Sequence, residues 1–484
     1  KNKQETSFFD KMGLYTTNHL EEGVSLVNSI LLQICEKFIS KVTDFFGKGV
    51  VRSLLDIEEY LEKASNEFIL EMTKTYFDNL DKALVEDKAG RKRKGLVIER
   101  KCDKREVYTK FGLLEFERTY FRNKNNEEYV YLLDQAVGIE KYERLSKLVA
   151  VDLINHASET SYWKSSQYIS GGEISRQTVM NKVRQVKELK IKQPESKRQV
   201  KVLHVEADED HVSLQDGSNT IVPLISIHEG IERNGKRGEC KNIHHISDYG
   251  KDPEELWLEA ANWIYEAYDV DYLEKIYVHG DGASWIKEGL NWLPKSKMVL
   301  DRYHLNRAIM EVTGKQQEYR KEIHMSLYQG NQEQFEAIIK QMTDGAESPN
   351  EKQRIAGFKR YILNNWVAIE IYSQEDCRGS CTEGHVSHVL SSRLSSRPMG
   401  WSRRGLQAMA KLRAYCSSGG QVTPEHLNKT EARYKVTKKV MAKATKAFKS
   451  AGIEKLGNIP LLRQGKNVPY FKQLKAIAAS MSII

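Results

Sequence analysis

Read for the alternation of apolar and polar positions, the chain changes period several times. Up to about residue 90, apolar side chains recur every three or four positions through SLVNSILLQICEKFISKVTDFF and SLLDIEEYLEKASNEFILEMTKTYFDNLDKALVE, which predicts helices with one apolar stripe. From Gly95 to Leu133 the period falls to two, and KGLVIERK, KREVYTKFG and LLEFERTYFRNK predict antiparallel strands joined by short turns. Helical spacing returns over residues 141–187 in three pieces, YERLSKLVAVDLINHAS, SYWKSSQYIS and EISRQTVMNKVRQVKEL, the last two separated by Gly171-Gly172. Two helices joined by a short glycine turn predict a helix-turn-helix, and Ser175, Arg176 and Gln177 open its second helix, where side chains reach base edges. A charged linker with one proline follows at 188–199.

Over residues 200–304 the pattern reads strand, strand (TIVPLISIHEGIE), a third strand near IHHISDYG, helix (PEELWLEAANWIYEAY), strand, helix (SWIKEGLNWL), strand. Three antiparallel strands followed by alternating helix and strand is the order of a ribonuclease H-like domain. From Leu305 to Tyr372 the spacing is helical almost throughout, with Gly345–Asn350 as its clearest break.

Candidate chemistry concentrates in the first of these strands, KVLHVEADEDHVSLQ. Glu206, Asp208 and Asp210 fall on every second position and share one face, while Leu203, Val205 and Ala207 fill the other. The pattern suits either a solvated acidic edge or a site for a hard divalent cation, which takes oxygen ligands. A second apolar run, KIYVHGDGASW, ends in Asp281 between two glycines, which let the backbone turn tightly beside a ligand. A third, SKMVLDRYH, ends in Asp301 with His304 one turn later. Carboxylates at the C-terminal ends of three strands describe an active-site edge of an α/β sheet.

Composition narrows the classes. The 484 residues allow two to four domains, no apolar run is long enough to span a bilayer, and the polar, charged first residues do not form a signal peptide. The first residue is lysine rather than methionine, which leaves open a missing beginning. Six scattered cysteines fit reduced thiols in a cytoplasm; Cys377 and Cys381 are four apart, with no second pair to complete a zinc site. The formal charge of +9 is unevenly spread. Arg91-Lys92-Arg93-Lys94 opens the strand-rich region, where Arg100, Lys101, Lys104, Arg105, Arg118 and Arg122 alternate with apolar residues, and Lys435, Lys438, Lys439, Lys443, Lys446 and Lys449 crowd the C-terminal end. Such faces suit a polyanion or plain solvation.

The segments ADEDHVSLQ, HGDGASWI, DRYHLNRA and EGHVSHVLSSRLSSRPMGWS together resemble the ISLre-type insertion-sequence transposases, related to the Mutator-like superfamily of DDE transposases. The resemblance covers most of the chain and is strongest over residues 201–404. It implies a multidomain α+β protein: a helical region (1–90), a basic β-rich region (91–140), a helix-turn-helix with linker (141–199), a ribonuclease H-like core (200–304) interrupted by a helical insertion (305–375) and completed at 376–424, then a basic tail (425–484). It implies a catalytic, metal-binding triad of Asp208, Asp281 and Glu383, supported by Asp301 and His304, with Asp210 as rival for the first place. The implied cofactor is a pair of Mg²⁺ ions, with Mn²⁺ as substitute. Arg393, Arg397, Arg403 and Arg404 flank Glu383 and are expected to meet the scissile backbone. The implied partners are double-stranded DNA and further copies of the chain, in a bacterial cytoplasm at the nucleoid. A metal-dependent nuclease or resolvase of the same fold, and a non-catalytic DNA-binding derivative, stay open beside this reading.

Overall fold

The computed structural model describes residues 30–234, 237–373, 377, 380–397, 399–427 and 434–450. These form two compact units: one from the described parts of Lys1–Val149 and Thr430–Ile484, the other from Ala150–Lys429. The architecture is mixed α+β.

In the first unit the helix Ile30–Phe46 packs along the long helix Leu54–Glu86, with Phe45 stacked on Tyr60 at 4.0 Å. Ser53 and Asp56 close a capping box at the start of the long helix, which satisfies two otherwise unpaired donors. The predicted stretch 25–29 lies outside the described residues. The two runs KGLVIERK and KREVYTKFG are one strand, β1 (Leu96–Thr109), rather than two. Register shifts between Ile98 and Asp103, with Cys102 at φ 60°, bend it without breaking its pairing to β2 (Gly112–Asn123), and a short β3 (Tyr129–Tyr131) completes the sheet. Two of the basic residues expected on its outer face are used internally. Buried Arg118 pairs with Asp134 and stacks on Tyr131, and burial lowers its pKa to about 10; Arg105 donates to the carbonyls of Glu140 and Glu143. Nor is the C-terminal region only a tail. In the helix Lys438–Ser450, Val440 and Ala444, four positions apart, enter the same core as Leu80, Leu84, Phe116 and Phe121, and Lys443 pairs with Glu86 at 2.5 Å.

The second unit begins with three short helices, Lys147–Glu159, Tyr162–Ser170 and Arg176–Gln185. The first starts later than its sequence pattern suggests, because Leu145 instead bridges to Tyr108 in extended conformation. Gly171 and Gly172 both take positive φ in the turn between the second and third helices. From Ala150 onward these helices share one compact unit with the sheet that follows.

That sheet has five strands, β4 (Val202–Ser213), β5 (Asn219–His228), β8 (His244–Ile246), β9 (Lys275–Gly280) and β10 (Ser296–Leu300). A two-stranded hairpin, β6 (Ile231–Asn234) and β7 (Arg237–Cys240), interrupts their order and was not anticipated. The spatial order is β10-β9-β4-β5-β8; β4, β5 and β8 pair antiparallel, while β9 and β10 run parallel to β4. The odd face of β4 (Leu203, Val205, Ala207) joins a core with Trp257, Ile264 and Tyr268 of the sheet and its crossover helix Pro253–Ala267. The same core continues into the helices between Arg302 and Glu370, through Phe335, Ile355 and Ile362. After that helical block the chain returns as one helical stretch, Thr382–His385 and Ser392–Leu394 flanking a π turn at Val386–Ser391, and then the helix Arg403–Ser417. Among the described residues no helix is long and apolar enough to cross a membrane.

Candidate metal centre

Parallel pairing sets the site. Glu206 on β4 lies opposite His279 on β9, and Gly280 lies opposite Leu300 on β10. Continued two residues along β4 and β9, and one along β10, the same registers bring Asp208, Asp281 and Asp301 together, just past the C-terminal ends of β9 and β10 and midway along β4, where its pairing to β9 stops. The backbone turns sharply there because Gly282 takes φ +88°, and a side chain on it would collide with the Asn365 carboxamide at 2.6 Å. Gly280 is equally constrained, since a Cβ would stand 2.8 Å from Ile286.

One ligand atom from each of Asp208, His304 and Glu383 lies within 4.8 Å of the other two. Glu383 is exposed, on the first turn of the returning helical stretch. Asp208 is 7% exposed, and its Oδ1 accepts the N–H of Glu209 at 2.8 Å. Burial, aided by the charges of Asp281 and Glu383, pushes its pKa up to about 6. Asp281 stands beside this cluster rather than in it. Its Oδ1 accepts the Ala283 N–H at 2.8 Å, and its charge acts on both Asp208 and His304.

The two supporting residues work as a pair. Asp301 caps the helix Arg302–Thr313 by accepting from the N–H groups of Tyr303 (2.8 Å) and His304 (3.3 Å), and Ser380 donates to its other oxygen. Burial opposes its charge, but these bonds hold its pKa below the ordinary value, and it in turn raises the pKa of His304, whose Nδ1 lies 3.3 Å from Asp301 Oδ1. Asp301 is therefore a holder of His304, with its lone pairs already used.

Asp210, the rival for the first place, is engaged through one oxygen, while its Oδ2 is buried without a partner. Its Oδ1 accepts from Ser391 (2.9 Å) and Ser395 (2.8 Å), so it fastens the stretch bearing Glu383 to β4. Glu206, on the same face, is wholly buried; it accepts from the Cys381 N–H at 2.7 Å and from His385 Nδ1 at 2.6 Å, and His228 Nε2 lies 3.1 Å away. Burial favours its neutral form, yet the two histidines hold it ionised well below the usual carboxylate range, and it raises the pKa of His385. Behind it His204 and His279 sit 3.0 Å apart, and burial lowers His279 to about 4. Of the two alternatives for this face, the solvated acidic edge does not hold: Glu206, Asp208 and Asp210 are all buried, and residues 381–395 bond to the first and third of them. Of these residues only Glu206 stood out in the sequence, through its even spacing with Asp208 and Asp210.

Ser175 is the N-cap of its helix, accepting the Thr178 N–H at 3.2 Å, while Arg176 and Gln177 are exposed on its first turn. Arg397, Arg403 and Arg404 are exposed, Arg403 bonding Tyr249 Oη at 2.8 Å. Arg393 departs from expectation. It is 5% exposed, donates to the Ala157 carbonyl at 3.0 Å and lies over the rings of Tyr162 and Trp401, so its guanidinium holds the fold together and is not free for a phosphate.

A mixed α+β protein with a carboxylate–histidine cluster at a sheet edge is thus the class that fold and site define. The chain belongs to the UPF0236 family: the sequence model of that family, described as an uncharacterised protein family, matches residues 51–431. Two UPF0236 proteins of Caldanaerobacter subterraneus subsp. tengcongensis are 39% and 40% identical to it, each over 94% of this chain and 95% of the relative. Another relative from that bacterium, 40% identical over 95% of this chain and 98% of its own length, carries eleven locus designations in its name. A more distant one, from Streptococcus gallolyticus and named for the vanSb 3′ region, is 25% identical over 75% of this chain and 84% of its own.

Proposed function

We propose that this protein is a DDE-type DNA transposase of a bacterial insertion sequence, of the ISLre and Mutator-like kind, that binds the ends of its element and catalyses metal-dependent strand cleavage and transfer. The observation that carries the reading is the convergence of Asp208, Asp281 and Glu383, with His304, on one sheet edge, from strands and a helical stretch that a long helical block separates in sequence. The strand order fits: three antiparallel strands and two parallel ones, with the first strand in the middle, is the arrangement expected of a ribonuclease H-like core. A relative whose name spans eleven loci is what a gene that copies itself around a genome would give.

The donor set fits hard divalent cations. Asp208, Asp281 and Glu383 offer carboxylate oxygens, and Asp208 is ionised only at a cost that a neighbouring cation would remove. The three carboxylates would hold Mg²⁺; the His304 nitrogen beside them makes Mn²⁺ an acceptable substitute. Bound there, a pair of such ions supplies the charge neutralisation that in-line displacement at phosphorus needs. The chain's own contribution is placement. Asp301 holds the His304 ring beside the carboxylates, one of its nitrogens bonded to Asp301 and the ring within reach of Asp208 and Glu383. Asp210 and Glu206 hold the Glu383 stretch on β4. Arg397, Arg403 and Arg404 present exposed planar forks of the kind that match phosphate. The exposed Arg176 and Gln177 are the side chains offered to a DNA groove. Pairing two DNA ends calls for at least two copies of the chain.

The test is a cleavage and joining assay with purified protein, Mg²⁺ or Mn²⁺, and DNA carrying the element's own ends, beside Asp281→Ala. Metal-dependent nicking and joined products, both lost in the variant, are expected. Nicking without joining would favour the nuclease reading, and tight end binding without chemistry the non-catalytic one.

A further inference from the structure

Within the second unit a cavity of about 390 Å³ opens between the helix pair Tyr162–Ser170 and Arg176–Gln185 and the segment Met399–Gly405. Its walls are flat and apolar: Trp163, Met180, Met399 and Trp401. Trp163 is 57% exposed, a large apolar surface left in water at the mouth. The charge around it has one sign. Arg176 and Arg184 line the cavity, and among the described residues no acid does. Two buried polar atoms on the lining, Tyr162 Oη and Arg184 Nε, have no hydrogen-bond partner, although Arg184 Nη2 is fixed on Ser402 at 2.6 Å. Buried polar atoms without partners are uncommon in folded proteins, and these two are free to bond a ligand that enters the cavity.

The cavity is tied to the acidic site through β4. Trp401 N–H donates to the Ser213 carbonyl, and Gln215 N–H to the Trp401 carbonyl, each at 3.0 Å, so the Met399–Gly405 segment lies in parallel beside the far end of the strand that carries Asp208. Seven residues of strand separate Asp208 from Gln215, roughly 23 Å. That is about seven nucleotides of one DNA strand at its axial rise of about 3.4 Å per nucleotide.

A ligand that suits aromatic and thioether walls, a cationic rim and unpaired donors is a flat aromatic body on an anionic chain. We propose that this cavity receives one nucleobase, unstacked from DNA, about seven nucleotides from the bond being cut. The proposal rests on the transposase reading and deepens it, giving the protein a way to recognise a deformed end as well as a sequence. Trp163 stacks on the extruded base, Arg176 meets its phosphate, and Tyr162 Oη and Arg184 Nε meet polar atoms at its edge. Unpairing costs free energy, so a site that is already unpaired is the preferred substrate.

The experiment measures binding of the full-length protein, in chelator, to duplexes of the element's own end carrying a single mismatch at each of the first positions inward from the cleavage point. Wild type is expected to bind one mismatched duplex, near the seventh position, about tenfold more tightly than the paired duplex. Trp163→Ala, at an exposed position that the fold does not need, is expected to bring that ratio close to one while still binding paired DNA. A 5-iododeoxyuridine at the same position is expected to photocrosslink to the peptide containing Trp163. A wild type that binds and cuts its ends but is indifferent to mismatches, or a Trp163→Ala that keeps the preference, overturns the cavity proposal and leaves the transposase reading standing. Failure to bind any end duplex overturns both. Loss of self-association in Trp163→Ala without a mismatch effect assigns the cavity to a second copy of the chain and overturns the proposal as well.

Discussion

Glu206 and Asp208 are two residues apart on one strand face, both nearly inaccessible, and they are opposite in every other respect. Glu206 is given a main-chain N–H and two imidazoles, and its pKa falls; Asp208 is given one neighbouring N–H and two further carboxylates, and its pKa rises to about 6. Burial alone would treat them alike. The difference is whether the protein supplies the compensating charge itself, and it identifies which acid is part of the scaffold and which waits for something from outside.

The sharpest break would come from exchanging the two fates. Asp208→Asn should lower metal-dependent end cleavage by about 10²–10³-fold or more, as removal of a transition-state contact does, while the melting temperature stays level or rises; a cleavage assay beside a thermal melt decides it. Glu206→Ala should do the reverse, lowering the free energy of unfolding by about 3–5 kcal/mol, because it takes the buried carboxylate away from the Cys381 N–H and the His228 and His385 rings at once. Chemical denaturation reads this directly, and an unchanged stability would remove Glu206 from the scaffold. Ser395→Ala should cost about 1–3 kcal/mol by taking one of two donors from Asp210, and should slow cleavage only as far as it loosens the Glu383 stretch.

Acidity separates the pair again. Between an ordinary aspartate value of 3.8 and about 6, folded Asp208 holds a proton that the unfolded chain releases, so its contribution to stability grows as pH falls through about 6. Glu206, held low, contributes stability that is present above its ordinary value of 4.5 and lost as pH falls below it. Thermal melts in chelator should therefore rise from pH 7.5 toward pH 5 and then drop, and Asp208→Asn should flatten only the rise. Added Mg²⁺ should reverse that limb, since a cation competes with the Asp208 proton, and its stabilising effect should fade below about pH 6. The smallest effect is expected at Arg403→Ala. Its exposed pair with Asp216 leaves stability within about 0.5 kcal/mol, and if Arg403 meets a phosphate, the salt dependence of DNA binding should lose about one charge.

What the sequence showed, and what it hid, follow the same division. Asp208 and Asp281 were legible because period-two strands and a Gly-Asp-Gly turn are local patterns, and Glu383 because a long motif surrounds it. The partners of Glu206 were not, since His385 reaches it from 179 residues away and no local rule encodes that meeting. Arginine burial was hidden for the same reason: Arg393 and Arg118 look like surface charge until rings and carbonyls from distant segments close over them. The succession of strands and helices over residues 200–304 was readable from the periods, whereas the β6–β7 hairpin and the π turn before Ser392 left no periodic trace.

The span between Glu206 and His385 also sets a clock. At a synthesis rate of about 5–20 residues per second, the ribosome delivers His385 roughly 9–36 s after Glu206. Until then the acidic strand has neither its histidine clasp nor its glutamate, so a nascent chain, or one cut short anywhere in the helical block, carries two aspartates and cannot assemble the centre. Translation order thereby leaves every unfinished copy without the assembled cluster.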